Sequence, residues 1–389
     1  MAGSLRNVFR LNLGLLSSTL SRCTSLNVSP VQGFRLLYTQ GSIGMNGYLK
    51  LRGIYHKQFL NVETTFRDKM KEFVEDNSSN MIFTEDLKAM LHLVEKSPED
   101  IELLVKMLRK FNSQNKELRF GNFIFGPVVM RTMYHLDVPD ITLELFHDPE
   151  FHSFFNQFIS YQILMDMLYN HGRFDDVRKV YDSIKERRTD NIMYPRHATN
   201  IVTAACLRQN TPDSFEYVVN IAKEMKKNGL LLPNRTIGYI ATLALKQGFP
   251  EVALEMSSMH RNMKSISCRC IRVASFARLN RLNSIIPIIR NSLDSDHPTF
   301  KEMYFKDVIE MLDEAVQRSS EDQLKQEVQR LLKEIINRQS IREMTLEQYV
   351  LSEIDLTLRN NLDGETDQNQ LRSFRRPMMQ RKTMREQLI

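Results

Sequence analysis

The chain has 389 residues, 42% of them hydrophobic, with few Gly and Pro (14 and 12), which suits either two ordinary domains or one helical repeat array. Its net charge is +6, but residues 1–57 hold seven basic residues and no acid, so the remainder sums to about −1 and the overall charge by itself does not support nucleic-acid binding by the folded body. No stretch approaches the ~20 apolar residues of a membrane span, and four cysteines without paired spacing exclude a disulfide framework.

The acid-free, Arg-, Ser- and Leu-rich start predicts a mitochondrial transit peptide over residues 1–38 and a matrix location, with cleavage near Arg35-Leu36-Leu37-Tyr38. Residues 39–82 read as a Gly-rich, then basic, flexible lead-in followed by a first helix, Phe66–Val74. From residue 83 to 293 the pattern is helix–turn–helix. In Phe158–Glu186, Tyr161, Leu164, Met165 and Leu168 share one helical face; Phe174, Val177, Tyr181 and Ile184 share the next, with Gly172 between them. Equivalent hinges fall at Lys96, Asp137, Asn210, Gly248 and Asn280, with separations of 41, 35, 38, 38 and 32 residues in chain order. A lone hairpin cannot bury both faces, so a period in the mid-thirties predicts stacked repeats, an all-α solenoid. The stretch HDPEFHSFF is an irregular joint between units. Residues 294–362 predict C-terminal capping helices, including Phe300–Val316, Asp322–Ile336 and Leu346–Leu362, and residues 363–389 a disordered basic tail.

Two stretches carry a family resemblance. ISYQILMDMLYNHGRFDDVRKVYDSI (Ile159–Ile184) and EMKKNG continuing to Pro233-Asn234 resemble the hairpin and the repeat end of the pentatricopeptide repeat proteins, and Lys246–Met259 fits as well. The resemblance covers four to six degenerate repeats. It implies a right-handed superhelix, an organelle address and binding of single-stranded RNA without catalysis. In that family a polar side chain ten residues before the hinge reads a base, and the last residue of the repeat assists. Those places hold Asp86, Pro127, Gln162, Asn200, Gly238 and Cys270, of which only Asp86, Gln162 and Asn200 suit a base edge; the candidate readers the resemblance implies are Gln162 and Asn200, with Asn234 assisting. The code is mostly broken.

Met256–Leu293 contains seven basic residues and no acid. Arg269 with Arg272, and Arg278 with Arg281, sit at helical spacing for phosphate contacts, and Phe276 is placed to stack beside Arg272. A solvated helix face or a docking site for a protein's acids accounts for the same charges. No His-Glu-x-x-His, phosphate-loop or nucleophile-elbow motif occurs. His92, His135 and His171 recur near hinges too far apart for one metal, and Cys268-Arg269-Cys270 has no zinc spacing. The expectation is a non-enzyme without metal or cofactor, whose partners are single-stranded mitochondrial RNA and RNA-processing proteins. It would act in mRNA maturation and hence respiratory-chain function. The alternative is a protein-binding scaffold for respiratory-complex assembly.

Overall fold

The computed structural model describes residues 36–75, 80–114, 123–295 and 302–356. Five of the six predicted hinges have left-handed backbone: Asp137 (φ 58°), Gly172 (70°), Asn210 (50°), Gly248 (82°) and Asn280 (54°). Asp, Asn and Gly tolerate this region where other residues meet the following carbonyl, which is why these types recur at hinge spacing. At Gly172 the turn is closed by Gly172 N–H to Tyr169 O (3.0 Å) and Arg173 N–H to Leu168 O (3.0 Å), a Schellman ending. The same pairing recurs at Gly248 and Asn280.

The helices are α1 (Met45–Phe59), α2 (Glu63–Val74), α3 (Thr84–Leu93), α4 (Pro98–Ser113), α5 (Gly126–Leu136), α6 (Pro139–His147), α7 (Phe158–Asn170), α8 (Phe174–Arg187), α9 (Arg196–Gln209), α10 (Pro212–Lys227), α11 (Asn234–Lys246), α12 (Pro250–Ser258), α13 (Ile266–Arg278), α14 (Leu282–Asp294), α15 (Lys306–Arg318), α16 (Asp322–Asn337) and α17 (Leu346–Val350). The odd helices α1 to α15 pack side by side in chain order and form a first layer. The even helices from α4 to α16 each pack on the first helix of their own hairpin, and α2 packs on α4. The described residues therefore form an all-α stack of helical hairpins, with only a two-residue parallel pairing of β1 (Tyr304–Phe305) and β2 (Ile341–Arg342).

The stack is longer than the sequence pattern suggests: eight hairpins among the described residues. The flexible lead-in expected before Phe66 is instead helix α1, paired with α2 as a first hairpin. Gly47 and Gly53 face open space, so they cost helix propensity but leave no gap. Tyr48 anchors α1: its hydroxyl donates to Leu91 O (2.9 Å) and its ring stacks on His92 (5.3 Å). Tyr55 stacks on the same His92 (4.7 Å), so this histidine, in the last turn of α3, is part of an aromatic cluster. At the other end, α15 packs on α13 and α16 on α14, continuing both layers as a hairpin. The helix expected over 346–362 is α17 alone, five residues long, followed by extended chain to Leu356. The expected tail over 363–389 and all but the last residues of the expected transit peptide lie outside the described residues. Leu37 and Tyr38, at the expected cleavage point, are fully buried.

The two layers bury differently. In α8 only Val177, Val180, Tyr181 and Ile184 are buried, a single stripe. In α7, α9 and α11 the buried runs are unbroken, 160–169, 198–207 and 236–245. A helix buried all round has every face covered. Neighbours and the second layer cover three sides, and the fourth is the face on which the base-reading positions were expected.

Candidate nucleic-acid interface and the segments that cover it

The polar residues expected to read bases are inside the fold. Gln162 in α7 is 3% exposed and its amide nitrogen has no hydrogen-bond partner. Asn200 in α9 is 5% exposed, and its Oδ1 accepts from the Thr236 hydroxyl of α11 (2.9 Å). Asn234, the first residue of α11, is half-buried and its Oδ1 accepts from the Arg261 N–H (3.4 Å). Two of the positions that follow are covered by named segments. A Cβ on Gly238 would meet Val350 of α17 at 3.4 Å, and Cys270 faces the Phe305 backbone N–H. Burial pushes the Cys270 thiol up to about 12, so it is no thiolate ligand at neutral pH.

Two segments of the chain meet across this face. Residues 37–43 run beside 350–356, and Tyr38 and Ile354 form a parallel bridge. Ile354 N–H donates to Leu37 O (2.8 Å) and Thr39 N–H to Ile354 O (3.1 Å). The Ser42 hydroxyl donates to Ile354 O (3.1 Å) and accepts from Leu356 N–H (2.8 Å). The pair is pinned to four first-layer helices. Arg131 Nε of α5 donates to Ile43 O (2.8 Å), where Gly44 (φ 75°) lets the backbone pass over the guanidinium. The Tyr38 backbone N–H faces the Asp166 carboxylate of α7, and its hydroxyl bonds His197 Nδ1 of α9 (3.1 Å). From α11, Arg235 Nη1 donates to Ser352 O (3.1 Å) and Lys246 pairs with Glu347 (2.9 Å).

Asp166 is the exceptional group beneath this junction. Its Oδ2 accepts from the Tyr134 hydroxyl (3.2 Å) and Asn170 Nδ2 (3.1 Å), while its Oδ1 has no partner. No ion pair to Asp166 occurs among the described residues. Burial without a countercharge pushes its carboxyl up to about 7, against the pull of those hydrogen bonds.

The seven basic residues of Met256–Leu293 do not make one patch. Arg269 is 6% exposed, ion-paired with Glu302, bonded to Met303 O (2.8 Å) and set over the Tyr304 ring (5.1 Å). The expectation that it reaches a phosphate is corrected: its charge is matched inside the fold, because the chain following α14 returns to pack on α13. Phe276 is half-buried against the core rather than presented for stacking. Arg290 pairs with Glu327 of α16 (2.6 Å). Arg261 and Lys264 are exposed at the start of α13; Arg278 and Arg281 are exposed at its end. Thirteen residues of helix hold these two sets about 20 Å apart. Arg272, half-buried midway along α13, is the remaining candidate on that helix.

A second polar feature was absent from the sequence reading. Successive hinges are laddered: Lys96 Nζ to Asp137 Oδ2 (3.4 Å), His171 Nε2 to Asp137 Oδ1 (2.6 Å), and Gln247 Nε2 to Asn210 Oδ1 (2.9 Å). Only the repeat period, which sets these side chains side by side, could have suggested it. The described residues contain no group of three His, Cys, Asp or Glu side chains arranged to hold a metal, and no helix long and apolar enough to cross a membrane.

No protein-family model matches the chain. Among curated proteins it is similar to "Pentatricopeptide repeat-containing protein 2, mitochondrial" from several vertebrates. The mouse protein is 28% identical over 256 residues, 65% of this chain and 66% of the relative. The Xenopus laevis protein is 31% identical over 183 residues, 46% and 47% of the two chains. The human protein is 26% identical over 256 residues, 65% and 64%. The matches thus span about two thirds of these relatives or less. The chain is a stack of helical hairpins that resembles, over much of its length, the mitochondrial pentatricopeptide repeat-containing protein 2 of vertebrates.

Proposed function

We propose that this protein works in the mitochondrial matrix as a non-catalytic binder of single-stranded RNA that assists mRNA maturation, and through it respiratory-chain function. The observation that carries the reading is the hairpin stack itself, with left-handed hinges at a repeat period of the mid-thirties, in a chain whose relatives are named mitochondrial pentatricopeptide repeat proteins. The acid-free start of the chain supports the address. Phosphates would be neutralised first by Arg278 and Arg281 at the hinge edge, with Arg272 beside them. Bound RNA would be held and presented to processing proteins, since the residues that could read bases contribute no reacting group.

The test is a triple variant, Arg272→Gln, Arg278→Gln, Arg281→Gln, assayed against mixed-sequence single-stranded RNA over a salt series. At ~0.7 per phosphate contact the log–log salt slope should become shallower by about two units, for all sequences alike. Unchanged binding would move these arginines to a protein partner. Crosslinking and sequencing of RNA from mitochondria then identifies the transcript. A second reading, a scaffold for respiratory-complex assembly, is favoured by one observation: the first-layer face already holds extended polypeptide, the chain's own residues 37–43 and 350–356.

A further inference from the structure

Residues 37–43 and 350–356 cover the face on which Asn200 and Gly238 lie, and they are attached differently from the hairpins they cover. Each internal hairpin is held by two neighbouring hairpins. The covering segments are held to one another by a single bridge, Tyr38 to Ile354, and two bonds to the Ser42 hydroxyl, and to the first layer by side chains of α5, α9 and α11 and by burial of Leu37, Tyr38, Ile43 and Ile354. On the C-terminal side only the five-residue α17 follows β2 before this pairing. Both segments lie outside the stacked hairpins, so lifting them leaves every hairpin intact. A segment outside the repeat stack can open as a local unit below the free energy of global unfolding.

What lies beneath also distinguishes this face from a permanent core. Asp166 is fully buried, meets the Tyr38 N–H of the covering segment, and among the described residues pairs with no cation. His197 binds the Tyr38 hydroxyl, Arg235 a backbone carbonyl of the covering strand, and Gln162 leaves its amide nitrogen unused. A core that is never opened normally satisfies such groups among themselves. Here several polar first-layer side chains spend their hydrogen bonds on the covering segments or leave them unmade.

We propose that residues 37–43 and 350–356 act as a clasp in cis, which closes the first-layer face of α7, α9 and α11 and lifts to admit a single strand. The proposal rests on the RNA reading above and adds to it a gate. In the closed form only the exposed hinge-edge arginines are available, so binding is blind to sequence. In the open form Asn200 becomes accessible, so any base preference appears only then. The observed affinity is the open-state affinity reduced by the fraction of molecules that are open.

The gate is tested by locking it. Leu356 N lies 2.8 Å from Ser42 Oγ. Bond lengths then keep the two Cα atoms within about 6.7 Å, inside the range a cystine spans. The full-length chain with Ser42→Cys and Leu356→Cys is oxidised, and its affinity for a fluorescent mixed-sequence single-stranded RNA is compared before and after reduction. Of the four native cysteines, Cys206, Cys268 and Cys270 are buried in α9 and α13 and do not compete, and Cys23 is replaced by Ser in the same chain. Reduction should tighten binding about tenfold, reversibly. Ile354→Pro, which removes the donor to Leu37 O, should bind more tightly than the native chain, and adding Asn200→Ala should cancel that gain. Hydrogen exchange gives a reading that needs no variant: RNA should speed exchange at the Thr39 and Ile354 amides. Equal affinity of oxidised and reduced forms, or unchanged protection of those amides with RNA bound, overturns the clasp and leaves RNA binding standing. If neither form binds RNA, the RNA reading fails and the gate falls with it.

Discussion

Gly172 sits at φ 70°, and its own N–H closes the turn after α7. Gly172→Pro places a ring restricted to negative φ there and removes that donor. The variant should lose about 2–4 kcal/mol of stability in denaturant titration; an unchanged midpoint would mean that the turn re-forms without its left-handed residue. Arg269 tests burial of charge. Arg269→Ala removes a guanidinium that is bonded to Glu302 and Met303 O and set over the Tyr304 ring in a mostly buried site, so a loss of about 3–5 kcal/mol is expected. Arg278→Ala, on an exposed residue, should leave the melting temperature unchanged. Asp166 makes stability depend on pH. Its carboxyl, raised to about 7, faces Tyr134 of α5, Asn170 on its own helix, the Tyr38 N–H, and Glu353 from the C-terminal segment. The folded state binds a proton here that the unfolded chain has lost above its ordinary carboxylate value. Stability is therefore highest in acid from this group, falls as pH rises through about 7, and stays low above it. Asp166→Asn should remove that fall and be the more stable protein at pH 8, by a few kcal/mol at most. A parallel pH profile for the two proteins would show that another group carries the dependence.

Among elements, the first hairpin shows how a sequence reading loses a helix. Gly41, Gly44, Gly47 and Gly53 suggest a flexible segment, and two of them do lie inside α1 with nothing beside them. The helix persists because Tyr48 and Tyr55, seven residues apart, share the face that stacks on His92, and Arg52 donates to His92 O (2.8 Å). Propensity favours loop by about 1 kcal/mol per glycine, and burial of the two aromatics outweighs it. Tyr48→Ala should cost about 3–5 kcal/mol and free α1 and α2 for early proteolysis; resistance equal to the native chain would show that the hairpin is held elsewhere. The second helices were easier to read. In α8 and α16 one apolar stripe faces inward, so periodicity in the sequence is periodicity in burial.

For the whole molecule, the expected transit peptide over 1–38 meets a structural limit. Leu37 and Tyr38 are fully buried, and both take part in the pairing with Ile354. A mature chain should therefore begin at or before Leu37, which N-terminal sequencing of the protein from mitochondria checks; a start at Thr39 would contradict it. Recombinant chains beginning at Leu37 and at Thr39 should differ in melting temperature, the shorter being less stable. Hairpin hinges, their residue types and the repeat period were legible in the sequence, because αL backbone and helix amphipathicity are set by residues near one another in the chain. The code positions were legible as positions, but their burial was not. Asn200 is covered by Tyr38, 162 residues away, and Gly238 by Val350, 112 residues away. The charge run Met256–Leu293 was likewise visible as composition, yet only packing could divide it. Glu302 and Glu327, both beyond the run, neutralise Arg269 and Arg290, and the length of α13 separates the exposed pairs. Local sequence determined that this protein is a stack of helical hairpins. Which of its polar side chains meet solvent was decided by long-range contacts, because a neighbour distant in sequence leaves no period to read.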